Sequence, residues 1–355
     1  MRIVHVDSAR GWRGGQNQVL LTAKGMERRG HEVIVACRAG SALRDRARAA
    51  DLHVHEVGFG GDFVPGPVLA LRALARRFRA DVVHVHDPHA VAAALWLGPS
   101  RARLIASRRV DFALRGPLSR WKYRHCRRVI AVSAAVGRVL EKDGLPPASV
   151  RVVYEGVPDR APARGGEDAL RALGVPAGAP VVGNVAALTA HKDHATLLAA
   201  AARVVSSVPE ARFVIVGKGE LELRLRAQAR ALGLEGRVLF AGFRSDVDYL
   251  IPAFDVFCLS SYMEGLGTSL LDAMCYARAI VGTAAGGIPE AVVDGVTGRV
   301  VPPRQPEALA AALTQVLQDR TRREAMGRAG RARFLDRFTA DRMVEETLRV
   351  YQEAV

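Results

Sequence analysis

Short β-branched runs alternate with amphipathic stretches along the whole chain. In the first half the pattern predicts strands at 2–7, 31–37, 53–57, 81–86, 102–107, 128–132 and 150–153. Helical spacing of apolar positions fills the gaps, for example over 15–29 and 67–79. The second half repeats the alternation, with strands predicted at 180–185, 212–216, 237–241, 256–259, 279–282 and 299–301. Strict alternation of this kind predicts an α/β fold, a parallel sheet covered by helices on both faces. The segment Pro158-Asp159-Arg160-Ala161-Pro162-Ala163-Arg164-Gly165-Gly166 breaks the pattern with turn residues and no periodicity, and so predicts a linker. Each half then carries its own doubly wound sheet, in domains 1–160 and 161–339. The stretch from Gln305 to Val355 is helical almost throughout, more than one sheet edge can use. Its last segment, about 340–355, is expected to pack back on the first domain.

At 355 residues with 49% hydrophobic composition, the chain is long enough for two cores. No apolar run reaches the roughly 18 residues that span a bilayer, and the first residues read as a strand rather than a signal segment. Four cysteines, at 37, 126, 258 and 275, show no metal-ligand spacing and suit buried free thiols in a reducing, cytoplasmic setting. The net charge of +15 invites a nucleic acid or an anionic membrane. Only 5 of the 51 basic residues are lysines, however, and the arginines look scattered over many helices, which fits compositional drift equally well. With 6% aromatic residues, no base-stacking platform is evident.

Ligands of open parallel sheets bind beyond the carboxyl ends of the strands, and the candidate chemistry lies there. After the strand at 256–259 comes Ser260-Ser261-Tyr262-Met263-Glu264-Gly265-Leu266-Gly267-Thr268-Ser269-Leu270-Leu271-Asp272. Its two glycines allow close backbone approach, and Thr268 opens a helix whose free N–H groups suit a phosphate. Glu264 and Asp272 are placed to accept hydrogen bonds from sugar diols. Lys192, in Thr189-Ala190-His191-Lys192-Asp193, and Lys218, in Gly217-Lys218-Gly219, sit at strand ends in a lysine-poor chain. Gly14-Gly15-Gln16 opens the first long helix but does not make a dinucleotide fingerprint. His84 and His86 share a strand face with His89 nearby. They read as core histidines, or as a metal site lacking a fourth ligand. Arg108 and Arg109 follow another strand and offer cations to an anionic group such as phosphate or carboxylate, or form an ordinary surface pair. Asp246-Val247-Asp248 has a metal-binding spacing but reads as a helix cap with first-turn acid.

The segment from Glu264 to Asp272 resembles the glutamate-x7-glutamate motif of retaining GT-B glycosyltransferases of family 4, with aspartate in the second place. The resemblance covers nearly the whole chain. It implies two Rossmann-like domains facing across a cleft, and transfer of a sugar from a nucleoside diphosphate sugar to an acceptor hydroxyl with retention. It implies that Glu264 touches the sugar, that Gly265, Leu266, Gly267 and Thr268 hold the diphosphate, and that Asp272 holds the ribose. Lys192 would neutralise the diphosphate. Ala187 stands where the family has an arginine, and Lys218 is the candidate replacement. Gly14, Gly15, Gln16, Gly217 and Arg244 join the expected donor contacts, and His86 and Arg109 the expected catalytic set beside the acceptor. No metal and no cofactor are expected; the donor is a substrate. The expected partners are that donor, a glycan or lipid-linked acceptor in polysaccharide, lipopolysaccharide or glycolipid synthesis, and an anionic inner membrane face, with no nucleic acid. The rival readings are a sugar-nucleotide epimerase or hydrolase of the same fold, and a non-enzymatic basic nucleic-acid-binding protein.

Overall fold

The computed structural model describes residues 1–60, 64–97, 102–114 and 116–355. The chain divides into two units, Met1–Gly156 with Thr339–Val355, and Val157–Phe338. The crossing from the first unit to the second falls earlier than residue 160. Val157 N–H bonds Phe338 O at 3.0 Å, and Arg160 pairs with Asp248 at 2.6 Å, so both belong to the second unit.

The first unit holds seven strands: β1 (Arg2–Asp7), β2 (Glu32–Arg38), β3 (His53–Val57), β4 (Val82–Val85), β5 (Arg103–Arg108), β6 (Arg128–Ala131) and β7 (Val150–Val152). They form one parallel sheet in the order β3-β2-β1-β4-β5-β6-β7. Strand order reverses between β1 and β4, which opens a crevice at their carboxyl ends. One sheet face packs on Leu71, Leu74, Val91, Tyr123, Val136 and Leu140. The other packs on Val19, Ala23 and Met26 of the Gly14–Glu27 helix and on the Ala340–Ala354 helix. That last helix buries Ala340, Met343, Val344, Thr347, Leu348 and Tyr351, an apolar stripe at helical spacing. Its start is fixed by Thr339, whose hydroxyl accepts from Arg342 N–H at 3.2 Å.

The second unit holds β8 (Val181–Val185), β9 (Arg212–Val216), β10 (Val238–Gly242), β11 (Val256–Leu259), β12 (Ala279–Thr283) and β13 (Gly298–Val301), again all parallel, in the order β10-β9-β8-β11-β12-β13. Here the reversal falls between β8 and β11. Among the described residues no helix is long and apolar enough to cross a membrane. All four cysteines are free and buried.

Candidate active site

In the second unit the expected residues gather at the carboxyl ends of β8 and β11. Lys192 Nζ donates to Glu264 Oε2, and the side chains are 18% and 11% exposed. Ser261 Oγ donates to the same carboxylate oxygen at 3.1 Å. Main-chain links hold the two loops together: Tyr262 N–H bonds His191 O at 3.0 Å, and Ser260 Oγ donates to Lys192 O at 2.9 Å. Gly287 N–H bonds Glu264 O at 3.1 Å. A pair so braced is costly to break from one side, because the survivor loses its charge partner in a poorly hydrated place.

Gly267 precedes the Thr268–Cys275 helix with φ 91°. A Cβ there would also lie 3.0 Å from Leu259 Cδ2, so only glycine fits the turn. Leu270 and Leu271 N–H both return to Gly267 O, at 3.0 and 3.4 Å. The N–H groups of Thr268 and Ser269 lie in the first helical turn, where no carbonyl of the helix can reach them. Gly265 and Leu266 form the loop that leads into this start.

Asp272, one turn inside that helix, is half-buried and makes no side-chain hydrogen bond or ion pair among the described residues. Burial, with a smaller push from Asp248 and against a pull from Arg160, raises its carboxyl to about 7. A partly buried carboxyl with no side-chain partner of its own fits a ligand that brings hydrogen-bond donors.

The loops after β8, β9 and β10 are zipped together. Ala186 N–H bonds Val216 O at 3.0 Å, Leu188 N–H bonds Lys218 O at 3.1 Å, and Gly217 N–H bonds Gly242 O at 2.8 Å. Gly217 has φ 149°, and a Cβ there would meet Ala186 O at 1.9 Å, so this zipper demands glycine. Lys218 is exposed and forms no ion pair among the described residues, while Arg244 is engaged by Asp246 through two bonds of 2.8 and 2.6 Å. Asp246 stands at the start of a short helix, but its side chain makes no cap; the expected cap is corrected to this pair with Arg244. Asp248 is taken up by Arg160 and by Tyr276 OH at 3.0 Å. His194, which the sequence did not single out, bonds Asn184 Oδ1 at 3.0 Å beneath the site.

In the first unit the carboxyl ends of β1, β4 and β5 gather a different set. Gln16 Nε2 donates to Asp7 Oδ2 at 3.0 Å, and Gln16 Oε1 accepts from Arg13 N–H at 3.2 Å, which closes the Gly14-Gly15 loop onto the sheet. The Arg109 stem lies against that loop, 3.6 Å from where a Cβ of Gly15 would stand. His5 Nδ1 and His86 Nε2 are 2.9 Å apart, and Arg109 Nη2 lies 3.1 Å from His86 Nδ1. Arg109 Nε donates to Glu155 Oε1 at 3.0 Å. His84 bonds Tyr351 OH at 2.5 Å and Ser107 Oγ at 2.8 Å.

The nitrogens of His5, His84 and His86 lie within 4.8 Å of one another, as a metal site would need. Both nitrogens of His84 and of His86 are nevertheless spent on protein partners, so only His5 Nε2 has no bond among the described residues. The donor set does not fit a metal. Burial, with Arg109 adding to it, drives all three rings to the neutral form, His5 to about 3.

Arg108 and Arg109 do not act as a pair. Adjacent residues on a strand point to opposite faces. Arg108 turns into the Tyr123 side of the sheet, where it donates to Phe112 O at 2.8 Å and lies 4.9 Å from the Phe112 ring. Arg109 follows Ser107 to the histidine side. Asp7, Glu155, His5 and Tyr351 escaped the sequence reading; an acid closing the first strand at a switch point was the signal available for Asp7.

The comparisons with known proteins meet this geometry. Residues 167–333 match the family model for glycosyl transferases group 1, and residues 12–160 that for glycosyltransferase family 4. The 2-deoxystreptamine N-acetyl-D-glucosaminyltransferase of Streptomyces fradiae is 31% identical over 329 residues, 84% of this chain and 77% of that protein. The chain belongs to glycosyltransferase family 4. This glycosyltransferase is also 25% identical to the N-acetyl-alpha-D-glucosaminyl L-malate synthase of Bacillus anthracis, across 94% of its own length and 92% of the relative's. The structure of Anabaena HepE in complex with UDP and glucose superposes with TM-score 0.86 at 23% identity, covering 99% of this glycosyltransferase and all of that chain. Its fold is therefore GT-B, two Rossmann-like units of seven and six parallel strands.

Proposed function

We propose that the second unit holds a nucleoside diphosphate sugar and that the enzyme passes the sugar, with retention, to an acceptor hydroxyl served by the first unit's loops. UDP, seen with Anabaena HepE, is the first nucleotide to try. The observation that carries the reading is the Lys192–Glu264 pair beside the open helix start after Gly267. In the reaction the bond from the anomeric carbon to the phosphate oxygen breaks and a bond to the acceptor oxygen forms. The acceptor proton passes to the departing phosphate oxygen. Charge grows on the diphosphate, and preorganised donors are most effective against charge that develops. Lys192 has three N–H groups, so it keeps Glu264 and still gives one to phosphate. The Glu264 carboxylate also accepts a sugar hydroxyl. Asp272 accepts from the ribose diol, and Lys218 supplies the cation that Ala187 lacks. These groups do the work without a divalent metal. A panel of sugar nucleotides screened by thermal shift and turnover, with and without EDTA, tests the reading. Hydrolysis that outruns transfer to every acceptor, or EDTA loss restored only by Mn²⁺ or Mg²⁺, overturns it.

A peripheral place on an anionic membrane is the second proposal, and the distribution of charge favours it. The +15 is concentrated, not evenly scattered: residues 88–140 hold eleven Lys and Arg against one acid, Asp111, and among them Arg103, Arg120, Arg124, Arg127 and Arg138 are exposed. The same segment exposes Trp96 and Trp121, 54% and 39% accessible with rings 6.4 Å apart, and Leu118 at 51%. Tryptophan beside arginine suits a lipid headgroup layer, where each nearby cation is worth about 1 kcal/mol. Sedimentation with anionic vesicles at low salt is expected, and weakened by Trp121→Ala with Arg124→Gln. Binding to duplex DNA with none to vesicles would overturn this assignment.

A further inference from the structure

The hydrogen-bond chain behind Arg109 has only one consistent proton assignment. A guanidinium donates and never accepts. His86 Nδ1, 3.1 Å from Arg109 Nη2, is therefore the acceptor, and the proton of this neutral ring is on Nε2. His86 Nε2–H then donates to His5 Nδ1 at 2.9 Å, which places the proton of His5 on its own Nε2. At the other end Arg109 Nε–H goes to Glu155, and Nη1 reaches His86 O at 3.5 Å. Both charged side chains are largely buried, 16% exposed for Arg109 and 9% for Glu155. Arg109 keeps two N–H bonds uncommitted among the described residues, one on each terminal nitrogen.

These facts separate two things that an arginine at a substrate loop usually offers together. Its hydrogen-bonding capacity remains, but its charge is already matched by Glu155. Arg108, the other cation of the doublet, faces the other side of the sheet. Asp7 adds further negative charge on the same side, in part held back because burial and Asp87 raise its carboxyl.

We infer that Glu155 and His86 are positioning residues that hold Arg109 as a charge-matched hydrogen-bond donor, so that the acceptor group meeting it is an uncharged oxygen, a hydroxyl, ether or carbonyl, and not a phosphate or carboxylate. This rests on the reading that the first unit's loops serve the acceptor. A phosphate at the two free N–H groups would place a dianion beside the Glu155 carboxylate in a weakly screened setting. There like charges disfavour each other strongly. A hydroxyl oxygen accepts the same two bonds without that penalty.

The test uses the full chain with its donor site saturated with UDP, so that added inorganic phosphate reports on other sites. The Nε–H signal of Arg109 is followed by NMR, assigned by its loss in Arg109→Lys. In the wild type the signal should not move with phosphate up to millimolar concentrations. In Glu155→Gln, which keeps the shape and removes the charge, it should move, with phosphate binding at least tenfold tighter. Glu155→Asp keeps the charge and should behave as the wild type, which guards against a variant that only loosens the loop. Ring nitrogen shifts should show the Nε2–H form of His86. Submillimolar phosphate binding at Arg109 in the wild type overturns the inference, as does an unresponsive Glu155→Gln that still binds UDP. Failure of UDP to bind any variant breaks the donor reading and leaves the wild-type and Glu155→Gln phosphate titrations to decide this one.

Discussion

The two units place their chemistry at the same address, the switch point of a parallel sheet, and build it from opposite materials. In the second unit the functional groups are backbone N–H at a helix start, one lysine–glutamate pair and a lone aspartate, ordered by glycines that permit close approach. In the first unit they are side chains bonded to side chains: Asp7 with Gln16, Glu155 with Arg109, His86 with His5, His84 with Tyr351. Under the proposed function every member of the second unit's set has a direct task on a phosphate or a sugar. In the first unit the same reading leaves most of the set to orient Arg109 and the glycine loop through those side-chain bonds. A site made of backbone recognises what all donors share. A site made of linked side chains can be rewired for a different acceptor without altering the fold.

The sharpest break in that contrast would come at Glu264. Glu264→Gln should lower kcat at least a hundredfold, because it loses the sugar contact and strands Lys192. Lys192→Ala should lower kcat similarly, and the double variant should fall little further, since the pair acts as one unit. Steady-state kinetics decide it; a kcat within about threefold of wild type for Glu264→Gln would remove it from the sugar site.

Asp272→Asn should weaken nucleoside diphosphate binding about tenfold and change its pH dependence. In the wild type the ribose-accepting form is the ionised one, present above about pH 7. Affinity should therefore weaken as pH falls below 7, and less so in the variant, as titration calorimetry at pH 6 and 8 would show. The stability effect has the opposite sign. A carboxyl raised in the folded state costs stability as pH climbs from its unfolded value near 4 through 7, so Asp272→Asn should be more stable than wild type at pH 8, by about 1–3 kcal/mol, as denaturant unfolding would show.

Gly217→Ala sharpens the comparison at the level of the backbone. It should destabilise the second unit by about 3 kcal/mol or more through the clash with Ala186 O. The smallest effect is expected at Tyr351→Phe, which removes the hydroxyl that His84 meets. It should cost about 1–2 kcal/mol in thermal unfolding and leave UDP affinity within twofold. A large loss of UDP affinity would mean the first unit's network also orders the donor.

How much was legible follows the same division. The strand–helix alternation, the glycine loop before Thr268 and the lysine at 192 are local in sequence, so periodicity and family likeness reach them. The expected strand ends differ from the observed ones by a residue or so, as at β2, which runs Glu32–Arg38 and not 31–37. Asp246 misled because a cap position and an ion-pair position look alike until Arg244 is seen beside it. The histidine–arginine network was not legible. Its members lie 46, 81 and 267 residues apart for Arg109 with Glu155, His5 with His86, and His84 with Tyr351. Only sheet order and the returning last helix bring them together, and neither is written in local pattern. The doublet Arg108-Arg109 reads either as a two-cation clamp or as an ordinary surface pair, and strand pleating splits it.

The helix Ala340–Ala354 carries one more consequence, for how the chain is made. The second unit, Val157–Phe338, is continuous in sequence and can close its core as soon as it leaves the ribosome. The first unit cannot. Its sheet is synthesised early, but His84 must wait for Tyr351, and the apolar surface around Val19 and Met26 for Val344 and Leu348. The part of the enzyme that begins first is thus finished last. Until then that sheet face is only partly covered, by Val19, Ala23 and Met26, the state in which a newborn chain most needs a chaperone.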